Sequence, residues 1–142
     1  MVHKLKKKKF LINGGLGMIG STIAKKLVEA EAKVTIVDAM VEPFGANLFN
    51  IDKIKDRVNL QFFDIKDTVK MKRAVEGKDV ILNLAGQVAH NDSIINPLYD
   101  AKMNYLYQLN VMECVKQVNP SAKIIFSGSR LQFGKNKQYT CR

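Results

Sequence analysis

The chain has 142 residues, 46% hydrophobic and 25% charged, with three prolines, a balance that suits one folded domain burying roughly 70% of its unfolded surface and excludes a disordered or low-complexity chain. No run of about 18 apolar residues is present to span a bilayer, and the basic start lacks the apolar stretch of a secretion signal. The net charge of +10 is half local: Lys4, Lys6, Lys7, Lys8 and Lys9 carry +5 with no acid among residues 1–9, read as a solvated flank, with a polyanion-binding arm as the alternative and nucleic acid not expected as a partner.

Short β-branched apolar runs then alternate with stretches of helical period, the pattern of a parallel sheet covered by helices. Phe10-Leu11-Ile12, closing on Asn13, predicts a first strand, and after Gly14, Gly15, Gly17 and Gly20 the residues Ile19, Ile23, Ala24, Leu27 and Val28 share one helix face. A second strand over 33–37 closes on Asp38, and a loop with Pro43 and Gly45 leads to a short helical segment over 47–54. A third strand covers 58–63 and ends at Asp64, followed by a helix over 67–76 that Gly77 ends in a left-handed conformation. The fourth strand, 79–84, is nearly all apolar, as burial on both faces requires. It runs into Ala85-Gly86-Gln87, before one long helix over 97–118 that Asn119-Pro120 stops. A fifth strand, 123–126, ends at Ser127-Gly128-Ser129. Right-handed crossovers then predict an α/β fold, a doubly wound parallel sheet of five strands in the order 3-2-1-4-5. Cys114 and Cys141 lack metal-ligand spacing and are expected as free thiols in a cytoplasmic protein.

In such a sheet ligands sit at the carboxyl ends of the strands, where the strand order reverses. There the chain places GxGxxG starting at Gly15 and the wider GxxGxxG starting at Gly14. Glycines at those positions let backbone amides approach a pyrophosphate, which the following helix N-terminus favours. Asp38 stands eighteen residues after Gly20, near the offset of about 20 expected of an acid that binds the adenosine ribose. A carboxylate there repels the 2′-phosphate of NADP, and Ala39 and Met40 supply no cation to offset it, so NAD is the favoured cofactor. The alternative is a glycine turn made for packing alone, with Asp38 a simple turn residue.

These residues, together with Asp64-Ile65, Asn83-Leu84-Ala85-Gly86-Gln87, Asn104, Ser127-Gly128-Ser129 and Phe133-Gly134, run in one order from Phe10 to Gly134. The series resembles the extended short-chain dehydrogenase/reductases, in particular NAD-dependent nucleotide-sugar epimerases and dehydratases. The resemblance implies a Rossmann-type NAD(P)-binding domain over residues 1–142, truncated before a sixth strand and a substrate domain. It implies that Gly14, Gly17, Met18 and Ile19 hold the pyrophosphate while Asp38, Ala39 and Met40 surround the ribose. Asp64 and Ile65 would meet the adenine, and Leu84, Ala85, Gly86 and Gln87 would line the way to the nicotinamide ribose. Ser127 belongs to the same cofactor set. Asn104 would face the cofactor or the neighbouring strand, or else solvent. Ser129 aligns with the catalytic serine or threonine, or is a turn residue.

The resemblance also implies a nucleotide-sugar substrate and a homo-oligomer built on the long helix, whose Met103, Leu106 and Leu109 would otherwise be exposed. The family's catalytic tyrosine is followed four residues later by a lysine, and Tyr139 is followed only by Thr140, Cys141 and Arg142. The 142 residues are therefore expected to be catalytically incomplete, with a non-catalytic dinucleotide-binding module as the alternative. Smaller departures are Glu31, Tyr107-Gln108 and Gly128, where the family usually has other residues.

Overall fold

The structure is a computed structural model describing residues 5–42 and 45–129. Lys4, Pro43, Phe133-Gly134, Tyr139 and Cys141 lie outside the described residues. Five parallel strands form one sheet in the order β3-β2-β1-β4-β5. They are β1 Lys9–Asn13, β2 Lys33–Asp38, β3 Val58–Phe62, β4 Val80–Asn83 and β5 Lys123–Phe126. The fold class and strand order expected from the chain are both observed.

Alternation along each strand sends successive side chains to opposite faces, and each face has its own cover. Phe10, Ile12, Val34, Ile36 and Leu82 pack on one side. Their cover is α1, Met18–Glu29, with a run of 3-10 turns over Leu48–Arg57 that supplies Ile51 and Ile54. Leu11, Val37 and Ile81 face the other way. They meet Met71, Ala74 and Val75 of α2, Thr68–Val75, and Val111, Cys114 and Val115 of α5, Tyr107–Val118. Burial of Cys114 pushes its thiol above the usual range. β1 and β2 are buried in the middle because both faces are covered, whereas Ile125 and Phe126 of the edge strand β5 are half exposed.

Three expectations need correction. Gly77 does adopt φ +63°, but Glu76 before it is extended and the Lys78 N–H donates to the Val75 carbonyl, so α2 ends in a type II turn rather than a left-handed cap. The helix expected over 97–118 is not continuous: α4, Pro97–Ala101, passes through a π turn, Lys102–Leu106, into α5, and a separate α3, His90–Ile95, precedes it. In the π turn the Tyr107 N–H donates to the Lys102 carbonyl five residues back, and the Gln108 side chain donates to the Met103 carbonyl at 2.8 Å. The turn also draws Met103 inward, so that it is buried rather than exposed, while Leu106 and Leu109 remain half exposed. No described helix is long and apolar enough to cross a membrane.

Candidate functional site

At the carboxyl ends of β1, β2 and β4 lies a crevice of about 320 Å³. Its floor is the glycine turn. Gly14 has φ +75°, and a Cβ there would sit 2.8 Å from the Ala85 nitrogen, so β1 and the segment after β4 approach too closely for any side chain. Gly20, inside α1, would place a Cβ 2.3 Å from the Gly14 carbonyl oxygen, and its absence lets the helix settle on the turn. Gly17 differs: a Cβ there would meet only the Gly14 oxygen, at 3.5 Å. Nothing among the described residues demands a glycine at that position, and the space it leaves opens on the crevice it lines.

Helix α1 begins at that point without a side-chain cap and without an acidic residue in its first turn. The Met18 and Ile19 amides accordingly have no hydrogen-bond acceptor among the described residues, and the positive end of the helix dipole faces the crevice uncompensated. An anion is the natural complement of such a terminus.

Asp38 closes β2 at the crevice wall and braces the turn. One carboxylate oxygen accepts from the Leu16 N–H at 3.0 Å and the other from the Met40 N–H at 2.9 Å. Each oxygen keeps a second lone pair. The Leu16 carbonyl is gripped in turn by the Asn50 side chain at 2.7 Å and the Asn47 N–H at 3.2 Å, while the Leu16 side chain is fully buried. Asp64, after β3, lines the same crevice and pairs with Lys66 at 3.1 Å, which raises the Lys66 ammonium above its ordinary value.

Gly14, Gly17, Met18, Ile19, Asp38, Ala39, Asp64, Ile65, Leu84, Ala85 and Gly86 are thus brought together around one space. Met40, Gln87, Asn104, Ser127 and Ser129 are not among its lining residues. Met40, at φ +49°, serves through its backbone. Asn104, in the π turn, accepts from the Gln87 N–H and donates to the Gln87 carbonyl, both at 2.9 Å, and so clamps the segment after β4. Gly86 is small for this reason, since a Cβ would lie 2.9 Å from the Asn104 oxygen. Ser127 and Ser129 follow β5, one strand beyond the point where the order reverses.

The family described as GDP-mannose 4,6 dehydratase matches residues 11–142. The chain belongs to this family. Among its relatives, CDP-paratose 2-epimerase of Salmonella typhi is 30% identical over 135 residues, which are 92% of this chain and 39% of that protein. A putative UDP-glucose 4-epimerase of Methanocaldococcus jannaschii is 33% identical over 84% of this chain and 37% of its own length. The chain therefore spans about two fifths of the length of the curated relatives it matches. Among solved structures, UDP-N-acetylglucosamine 4-epimerase of Methanobrevibacter ruminantium, in complex with UDP-N-acetylmuramic acid, superposes with a TM-score of 0.85 at 27% identity, over 96% of this chain and 43% of that one. The Bordetella bronchiseptica enzyme WbmF, in complex with NAD+ and UDP, gives 0.78 at 26% identity, over 89% and 37%. The family is that of the NAD-dependent nucleotide-sugar epimerases and dehydratases, of the extended short-chain dehydrogenase/reductase kind, and the chain matches the amino-terminal part of its members.

Sequence reasoning about this family member missed a second set of residues. Val37, Val41, Gly45, Ala46, Phe63, Val88 and Met103 also line the crevice. Val37 and Phe63 directly adjoin Asp38 and Asp64, so their position at strand ends was the available signal. Also missed was a buried amide chain in which the Asn13 side chain donates to Asn83 at 3.0 Å, Asn83 to Gln108 at 2.6 Å, and Gln108 to the Ala85 carbonyl at 2.9 Å. Its members are up to 95 residues apart in the chain, Asn13 to Gln108, which no local pattern reveals.

Proposed function

We propose that the crevice binds a nicotinamide dinucleotide, NAD in preference to NADP, and that the chain is the cofactor-binding part of an enzyme acting on a nucleotide sugar. The observation that carries this reading is the pairing of an uncapped α1 terminus beside Gly17 with the Asp38 carboxylate across the same space. The Met18 and Ile19 amides would take the pyrophosphate, with Gly14 and Gly17 giving it close approach. Asp38 would accept the ribose hydroxyls with the lone pairs that Leu16 and Met40 leave, flanked by Ala39 and Met40. Asp64 and Ile65 would meet the adenine, and Leu84, Ala85 and Gly86 would border the nicotinamide side, where Gln87 is held by Asn104.

The crevice lining contains no lysine or arginine among the described residues, so a 2′-phosphate beside Asp38 would stand unneutralised. When bound, the nicotinamide would supply hydride acceptance and return at a sugar carbinol. Ser129 would hydrogen-bond the sugar oxygen, with Ser127 beside it. The tyrosine and lysine pair that moves the proton in this family is not among the 142 residues, so binding without turnover is the expected behaviour of the chain alone. The half-exposed Leu106 and Leu109 favour self-association through the helix that carries them, in a cytoplasmic protein.

Calorimetric titration with NAD and NADP tests the reading. NAD is expected to bind at least about tenfold more tightly than NADP, and Asp38→Asn to erase that preference. Absence of binding by both, or equal binding by the unaltered chain, would overturn it. Gly17→Ala should weaken NAD while leaving the melting temperature nearly unchanged, because only the ligand needs that space.

A further inference from the structure

A second cavity, of about 450 Å³, lies at the opposite, amino-terminal end of the sheet and is unrelated to the crevice. It is lined by Lys9 and Lys33 at the starts of β1 and β2, by Thr35 and Asn59, and by Lys78 in the turn after α2. Lys9 and Lys33 are register partners on adjacent strands and so project from the same face, side by side. Thr35, two residues on, lies on that face too, is 4% exposed, and accepts a hydrogen bond from the Lys78 ammonium at 2.8 Å.

These lysines lack carboxylate partners among the described residues. Asp79, the nearest acid in sequence to Lys78, is occupied by the Lys8 ammonium at 3.1 Å and the Lys9 backbone N–H at 2.7 Å, and Glu31 is occupied by Lys6 at 2.9 Å. Arg57 reaches the lining as well, with its guanidinium tied to the Val28 carbonyl, and Glu76 is the single carboxylate in the lining among the described residues. Burial pushes the Lys78 ammonium below the usual lysine range, and the charge of Lys9 adds to the effect. The Lys9 and Lys78 ammonium groups repel one another beside this hollow, which Lys33 also lines, and a multivalent anion would relieve that repulsion.

We propose that this cavity is a binding site for a small polyphosphate anion, a molecule carrying two or three linked phosphates. Lysine ammonium groups are compact point charges suited to phosphate oxygens, and several of them match several phosphates better than one carboxylate. The Thr35 hydroxyl and the Asn59 amide add neutral donors. Among the described lining residues only Ala32 and Val34 are apolar, and Val34 packs its side chain into the core on the other face of the sheet, which leaves too little to anchor a peptide. The site shares no lining residue with the crevice at the other end of the strands.

Inorganic triphosphate is the probe, titrated by calorimetry into the 142-residue chain with and without saturating NAD. Binding of one equivalent is expected, unchanged by NAD, and weakened about tenfold for each lysine removed in Lys33→Gln and in the double variant Lys33→Gln/Lys78→Gln. Lys33 is exposed, and glutamine at position 78 keeps a donor for Thr35 without a partly buried charge, so a melting temperature at or above that of the unaltered chain shows that the variants fold. Lys6→Gln/Lys7→Gln, which alters the flank instead, should leave the affinity unchanged. The proposal is overturned if triphosphate does not bind, if NAD displaces it, if the double variant binds as tightly as the unaltered chain, or if the flank variant alone loses binding.

Discussion

The two halves of the sheet reach order by different means. From β1 to β3 the decisive contacts are close approaches over short spans: Gly20 lets α1 settle on the Gly14-Gly15 backbone, Gly15 lets the turn meet the Ile36 side chain, and the Asp38 carboxylate staples the Leu16 amide across 22 residues. From β4 to β5 side-chain amides take over. Asn13, Asn83, Gln108 and Asn104 join segments that lie far apart in the chain, and a π turn is needed to aim two of them. The contrast teaches that one crevice has a rigid wall set by steric exclusion and another wall set by hydrogen-bond satisfaction. A steric wall fails when an atom is added; a hydrogen-bonded one fails when a partner is removed.

The largest effect is expected from the second kind. Asn83→Leu removes the partner of two buried amides, and the Asn13 side-chain oxygen is already without one among the described residues. A loss of about 3 kcal/mol in urea unfolding is expected, and a loss under about 1 kcal/mol would mean that the amide chain is incidental to the second wall.

Gly20→Ala probes the first wall and comes next. Alanine gains about 1 kcal/mol in helix propensity over glycine, but its Cβ would lie 2.3 Å from a backbone oxygen that has no flexible end to move. A net loss of about 2 kcal/mol is expected, measured against Gly17→Ala, which should stay within about 1 kcal/mol of the unaltered protein. If the two alanines were equally harmful, the steric account of the turn would fail.

Asn104→Ala should have a smaller and local effect, about 1 kcal/mol, with amide hydrogen exchange at Gln87 accelerating while exchange in β1 stays slow. Uniform acceleration across the sheet would show that the clamp acts globally.

The smallest effect concerns the amino-terminal edge, where β1 and β4 are joined by Asp79. The Lys9 backbone N–H and then Lys8 hold its carboxyl below the ordinary 3.8. A carboxyl with a depressed folded-state pKa contributes stability above its unfolded value, and that contribution fades as pH falls through the folded one. Asp79→Asn should therefore lower the melting temperature slightly at neutral pH, and the gap should close below about pH 4. A gap that persisted in acid would point to geometry rather than charge.

Much of this fold was legible in the chain because its signals are local. Period-two runs mark the strands, and β5 was placed at its observed bounds, Lys123–Phe126. The crevice residues Gly14, Gly17 and Asp38 could be read because strand ends and glycine spacing are short-range features. The helix over 97–118 was read as continuous because every residue in it tolerates a helix. What interrupts it is the demand of Gln108 and Asn104 for partners on β4 and the segment after it.

The sequence by itself therefore determined the layering, the strand order and the position of the glycine turn, since hydrophobic period and glycine sterics act within a few residues of their cause. Only the tertiary structure decided which polar side chains meet. It buried Met103, paired Asn104 with Gln87, built the amide chain through Asn83, and gathered Lys9, Lys33 and Lys78 around one hollow. The physical reason is that a hydrogen bond or a charge contact depends on distance in space, which is set only after the sheet has brought remote segments side by side.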